Sequence, residues 1–149
     1  MAIDAPAKPA SGFASTIGPG GVVGTKFTWP DYGPEKKAVF LDPNKESHWK
    51  KWIGLYNEKQ LARGTFRNLY VHGYDVPEAY AIAKDGRMHY AFCAPDSAVP
   101  WQGRIELRGL EPGRYAVRDS VSGADLGTVD AAGPSLPVAF TASLLVEAA

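Results

Sequence analysis

The residues able to do chemistry in this chain of 149 are few and scattered. His48, His72 and His89 are the three histidines. No two of them have the spacing that sets metal ligands side by side on one element. Cys93 is the single cysteine, which excludes an intramolecular disulfide and a cysteine zinc site. It alternates with Phe92 in a strand-like run, with no activating base nearby in sequence. It therefore reads as a small buried residue rather than a nucleophile. His72 lies close to Asp75 and Glu78, which admits a carboxylate–histidine contact, although turn residues around Pro77 account for the same cluster. Asp85, Asp119 and Asp125 complete the scattered carboxylates, for which turn and cap roles are expected. Gly18, Gly20, Gly21 and Gly24 lack the Gly-Lys-Ser/Thr ending of a phosphate loop, and no helix starts directly after them. They read as a turn requiring positive φ.

The elements that must position these residues fall into two unequal pieces. Residues 1–12 read as a flexible Ala/Pro lead-in. Residues 13–34, rich in glycine, proline and aromatics, read as a short strand plus loops. A helix follows in "LDPNKESHWKKWIGLYNEKQLARG", with Asp42 as N-cap, Pro43 at the first helical position and Glu46 in the first turn. Trp49, Trp52, Ile53, Tyr56 and Leu61 fall near one face of it, and Gly64 is the expected left-handed cap. That aromatic face needs a large partner surface, which residues 1–41 hardly supply.

From Thr65 the pattern turns to period two. "FRNLYV" reads as a strand and "PEAYAIAKDGRMHYAFCA" as a hairpin turning at Asp85-Gly86. "WQGRIELRGLEPGRYAVRDS" reads as two strands joined by a tight turn. Its Trp101, Ile105 and Leu107 share one face with Gly103. "ADLGTV", "SLPVAF" and "SLLVEA" bring the total to about eight short strands. The predicted fold class is mainly β, an antiparallel β-sandwich over residues 65–149, preceded by a loop-rich segment and one amphipathic helix.

Composition narrows the function classes. Sixteen basic residues balance sixteen acidic ones, and no dense Lys/Arg run occurs, so nucleic acid is not an expected partner. No apolar run approaches the length of a spanning helix, so no membrane partner is expected. The N-terminus lacks a basic stretch followed by an apolar one and is not read as a signal peptide. Nothing demands an oxidising compartment. Localisation stays open, with the cytoplasm favoured.

Taken in order, "GPGGVVGTKFTWP", "HWKKWIGLYNEKQLARGTFRNLYVHGYDVPEAYAIAKDGRMHYAFCA", "WQGRIELRGLEPGRYAVRDSVSGADLGTV" and "VAFTASLLVEA" resemble the C-terminal end of α-galactosidase-like glycoside hydrolases, family 36 or a close relative. The resemblance covers about residues 13–148. It implies a (β/α)8 barrel followed by an antiparallel sandwich. Residues 13–64 would then be the last strand, loop and helix of a truncated barrel, and the missing N-terminal barrel portion would be the partner of the aromatic helix. It also implies a retaining mechanism with two Asp on earlier barrel strands. No residue here matches them, so no catalytic residue is assigned, and neither metal nor organic cofactor is expected. Lys26, Phe27 and Trp29 would lie in the loop after the last barrel strand, at the face where such barrels bind substrate. Lys26 and Trp29 are the substrate-binding candidates. Trp101, Tyr90, Tyr80 and Tyr115 could form a sugar platform on the sandwich, but alternation favours Trp101 in the core. The rival expectation is a free-standing β-sandwich that binds carbohydrate or protein. A helix 43–62 folded neatly onto the sheet would support it.

Overall fold

The computed structural model of the chain describes residues 11–24 and 43–149. The period-two region forms eight strands: β1 (Thr65–Arg67), β2 (Glu78–Lys84), β3 (Arg87–Cys93), β4 (Trp101–Glu106), β5 (Arg114–Asp119), β6 (Asp125–Asp130), β7 (Ser135–Phe140) and β8 (Ser143–Ala148). Six of them make a large sheet in the order β1-β2-β3-β8-β5-β6, and β4 pairs with β7 in a small one. All pairings are antiparallel. The fold is thus mainly β, a sandwich of unequal sheets. Asp85 and Gly86 both take positive φ at the β2–β3 turn, as a two-residue hairpin requires.

Alternation sorts the side chains of the large sheet onto its two faces. Ala79, Ala81, Tyr90, Phe92, Val117, Leu144, Val146 and Ala148 join Ile105, Leu107 and Leu136 in a core between the sheets. Ile82, Ala91 and Leu145 belong to a second core on the opposite face. Runs such as "YAFC" and "LLVEA" are buried almost throughout because both faces of their strands are covered.

Two helices supply that second cover. α1 (Ser11–Ile17) and α2 (Pro43–Lys59) contribute Phe13, Ala14, Ile17, Trp49, Trp52 and Leu55. The Phe13 ring stacks on Trp52 with centroids 5.9 Å apart and meets Trp49 edge-on at 5.8 Å. Gly18 lets α1 end directly on β3: a Cβ there would stand 2.3 Å from that of Ala91.

Several expectations change. In the described part of 13–34, residues 13–17 are helical rather than a strand, because Phe13 and Ile17, one turn apart, both point into the second core. α2 stops at Lys59, and Gln60 takes the left-handed conformation (φ 46°, ψ 44°) expected of Gly64. Gly64 is extended and serves close packing instead: a Cβ on it would lie 2.4 Å from Ile82 Cγ2. The aromatic face of α2 is not bare, since Trp49 and Trp52 are 8% and 7% exposed beneath α1 and the sheet. Finally, β4 and β5 lie in different sheets, so the segment between them crosses the sandwich instead of closing a hairpin. Asp42, the expected N-cap, lies outside the described residues, and no described helix is long and apolar enough to cross a membrane.

Candidate functional site

Lys26, Phe27 and Trp29 lie outside the described residues. The remaining candidates fall in three places. Asp119, Asp125 and Asp85 hold turns. Asp119 accepts hydrogen bonds from the Val121 amide (2.8 Å) and the Ser122 hydroxyl (2.7 Å), Asp125 accepts one from the Gly127 amide (2.8 Å), and Asp85 pairs with Lys84. The aromatic platform does not form. Tyr90 is buried in the inner core, where Trp101 and Tyr115 are partly buried, and Trp101 packs on Phe140 at 5.3 Å. Tyr80 lies on the opposite face. Cys93 is half-buried in β3, and burial, aided by Glu78, pushes its thiol pKa up, away from the reactive thiolate.

A second group gathers where α2 ends on the large sheet. Glu147 of β8 is 9% exposed and binds two cations. Lys59, the last residue of α2, reaches its Oε2 at 2.8 Å, and Arg87 reaches its Oε1 at 2.5 Å. Burial alone would raise the carboxyl pKa, but the Lys59 hydrogen bond and charge, with His89 and Arg87, hold it below its ordinary value. His89 stands 3.8 Å from the same carboxylate, and burial lowers its pKa. Two partnered cations and a desolvated acid make a clamp between helix and sheet. A general acid would need the opposite shift.

The third group is the segment between β1 and β2, residues 68–77, at the open edge of the large sheet. Its base is braced by Arg108. That guanidinium pairs with Asp75 at 2.9 Å and with Glu106 at 2.9 Å, donates to the Leu69 carbonyl at 3.1 Å, and lies 4.9 Å from the centre of the Tyr70 ring. The Tyr70 hydroxyl donates to the Glu106 carbonyl (2.6 Å) and accepts from the Arg108 amide (3.2 Å). Asp75 also accepts from the Val71 amide, and these contacts hold its carboxyl pKa down.

Above this base, His72 Nδ1 lies 3.0 Å from Glu78 Oε1, and the Tyr80 hydroxyl donates to the same oxygen. The sequence favours turn roles for this cluster; the less favoured carboxylate–histidine contact forms with Glu78, while Asp75 accepts from the Val71 amide and pairs with Arg108. The Glu78 contact pushes the Tyr80 phenol up to about 12, so it stays a hydrogen-bond donor. A shallow cleft of about 120 Å³ opens here, lined by Phe66, Arg67, Asn68, His72, Glu78 and Tyr80 among others. The sequence places Phe66, Arg67 and Asn68 in a strand, and their availability at the cleft depends on β1 being the sheet edge.

Asp85, Asp119 and Asp125 thus serve turns, Asp75 and Glu147 serve ion pairs, and Glu78 accepts from Tyr80 and contacts His72. The described carboxylates whose pKa moves, Asp75, Asp85 and Glu147, all move down. Among the described residues, no group of three or more His, Cys, Asp or Glu could hold a metal ion.

No family model matches the chain. Over 86 residues it is 37% identical to a protein of Flavonifractor plautii named A type blood alpha-D-galactosamine galactosaminidase. The match covers 55% of this chain but only 8% of that protein. Two solved structures share the fold. One, described as an alpha-N-acetylgalactosaminidase of Bacillus halodurans, superposes with a TM-score of 0.53 at 14% identity, over 79% of this chain and 26% of that one. The other, an Anoxybacillus alpha-amylase, gives a TM-score of 0.54 at 15% identity, over 78% and 25% respectively. The chain therefore spans a small share of each larger protein, and in sequence it resembles part of an α-galactosidase-like glycoside hydrolase.

Proposed function

We propose that this chain is the C-terminal accessory portion of a glycoside hydrolase acting on α-galactosides or related sugars such as α-linked galactosamine. Its role there is structural, and the catalytic carboxylates are carried by a barrel portion outside this sequence. The observation that carries the reading is the 37% identity to a galactosaminidase over 86 residues, a stretch amounting to 8% of that enzyme. The carboxylates support it. A retaining glycosidase needs two of them about 5–5.5 Å apart on either side of the scissile bond, one with its pKa raised. The described acids whose pKa moves, Asp75, Asp85 and Glu147, all move down instead. Purified chain assayed on nitrophenyl α-galactoside and α-galactosaminide, beside the Flavonifractor enzyme as control, is expected to show no turnover.

One observation favours a free-standing binding module instead. The α2 face that would have marked a missing partner is covered by α1 and the sheet. Sedimentation and hydrophobic-dye binding separate the two readings. A compact monomer that binds no dye favours the module. Dye binding at an exposed apolar surface favours the accessory role.

A further inference from the structure

The geometry points to the cleft between β1 and β2 as a binding site for one neutral sugar ring, recognised through its hydroxyls by Glu78, Arg67 and Asn68 and through its C–H face by Phe66. The cleft itself owes nothing to the glycoside hydrolase reading, and only the choice of galactose-type sugars rests on it.

Glu78 is held ready. Tyr80 and His72 both contact Oε1, which fixes the carboxylate plane, while Oε2 has no hydrogen-bond partner among the described residues. With Tyr80 donating to Glu78, its phenol oxygen can still accept a hydrogen bond. Arg67 and Asn68 line the same cleft, and among the described residues their side chains have no hydrogen-bond or ion-pair partner. The lining therefore offers acceptors and donors together, one negative charge and one positive. A neutral polyol satisfies both sets, since each hydroxyl donates and accepts. An anion would meet Glu78 and a cation would meet Arg67, each at a cost.

The apolar half of the recognition is also present. Phe66 lines the cleft and is 52% exposed on an edge strand. Binding sites of this kind combine aromatic surface with a few placed polar groups. The segment is pinned from below by Tyr70, Asp75 and Arg108, so little ordering remains to oppose binding. At about 120 Å³ the cleft is smaller than the roughly 300–1,000 Å³ of ordinary ligand pockets. It suits one terminal ring held weakly, in the millimolar range.

The test is a titration of the 149-residue chain, labelled with nitrogen-15, with galactose, N-acetylgalactosamine and galactosamine in turn. Saturable amide shifts at residues 66–72 and 78–80 with the two neutral sugars are expected. Phe66→Ala and Arg67→Ala, both on the exposed edge strand, should weaken them about tenfold or more, which is about 1.4 kcal/mol. Glu78→Gln, which replaces the open acceptor by a donor, should do the same. Absence of saturable shifts, shifts elsewhere on the fold, shifts indifferent to these variants, or a response to galactosamine alone would overturn the assignment. Hydrolysis assays read the accessory role separately, so a failure of either is visible without the other.

Discussion

The two faces of the large sheet are buried by different means. The inner face is closed without helices, by strands and the loop residues Leu69, Tyr70, Leu107 and Leu110, and its buried residues are apolar apart from Tyr90, whose hydroxyl donates to the Arg108 carbonyl at 2.8 Å. The helix-side face is closed by segments from the start of the chain, and its margin holds buried charge. Glu147 meets Lys59 across 88 residues of sequence and Arg87 across 60. His48 Nε2 and His89 Nδ1 are buried there without hydrogen-bond partners. The inner core needs only the sandwich residues. The helix side is held by the packing of two Trp and a Phe together with a pH-sensitive ion cluster. The sandwich should therefore outlast its helical cover when the molecule is stressed.

That contrast can be broken most forcefully at Tyr90. Tyr90→Ala removes a ring that is 2% exposed in the inner core, and a global loss of about 3–5 kcal/mol in denaturant unfolding is expected. Glu147→Ala should cost less, about 2 kcal/mol. It leaves Lys59 without its buried partner, but the 53% exposed Arg87 side chain regains water. Amide exchange should then rise in α1 and α2 and stay slow in β3 and β8. Equal acceleration in all four would remove the distinction.

Acid should act in the same place. His89 has its folded pKa lowered from 6.5 by burial, so its contribution is complete above that value and fades as pH falls below it, while the unfolded chain takes up a proton that the folded one resists. Glu147, also lowered, contributes fully above 4.5 and is lost as pH falls through its folded value. Both shifts make the helix side weaken with acid. The groups facing His89 are Glu147, Lys59, Lys84, Arg87 and Asp85, and His89→Leu should flatten the upper part of the profile measured by tryptophan fluorescence. The smallest effect is expected at the edge cleft. Tyr70→Phe forfeits two hydrogen bonds, about 1 kcal/mol, and loosens residues 68–77 without disturbing either core.

How much of this could be read beforehand follows from where the information resides. β2 to β8 and the Asp85-Gly86 turn were legible because alternation and turn chemistry are local, whereas the strand expected in "FRNLYV" is confined to Thr65–Arg67. The start of α2 at Pro43 was legible for the same reason. α1 was not, since seven residues flanked by Gly and Pro carry little helical signal, and Phe13 and Ile17 are held in register by packing on the sheet. Which sheet each strand joins was equally hidden, because β4 and β5 are adjacent in sequence and separated by the core. At the cleft, spacing admitted the contact of His72 with Glu78 but favoured turn roles for these residues. The diversion of Asp75 to Arg108, 33 residues away, was not legible there.

The most direct measurement is hydrolysis of nitrophenyl α-galactoside and α-galactosaminide by the purified chain. The account predicts no turnover above buffer, with the Flavonifractor enzyme active in parallel. Turnover that survives repurification and disappears in Glu78→Gln, Asp75→Asn or Asp119→Asn would contradict it and place catalytic carboxylates inside this fold.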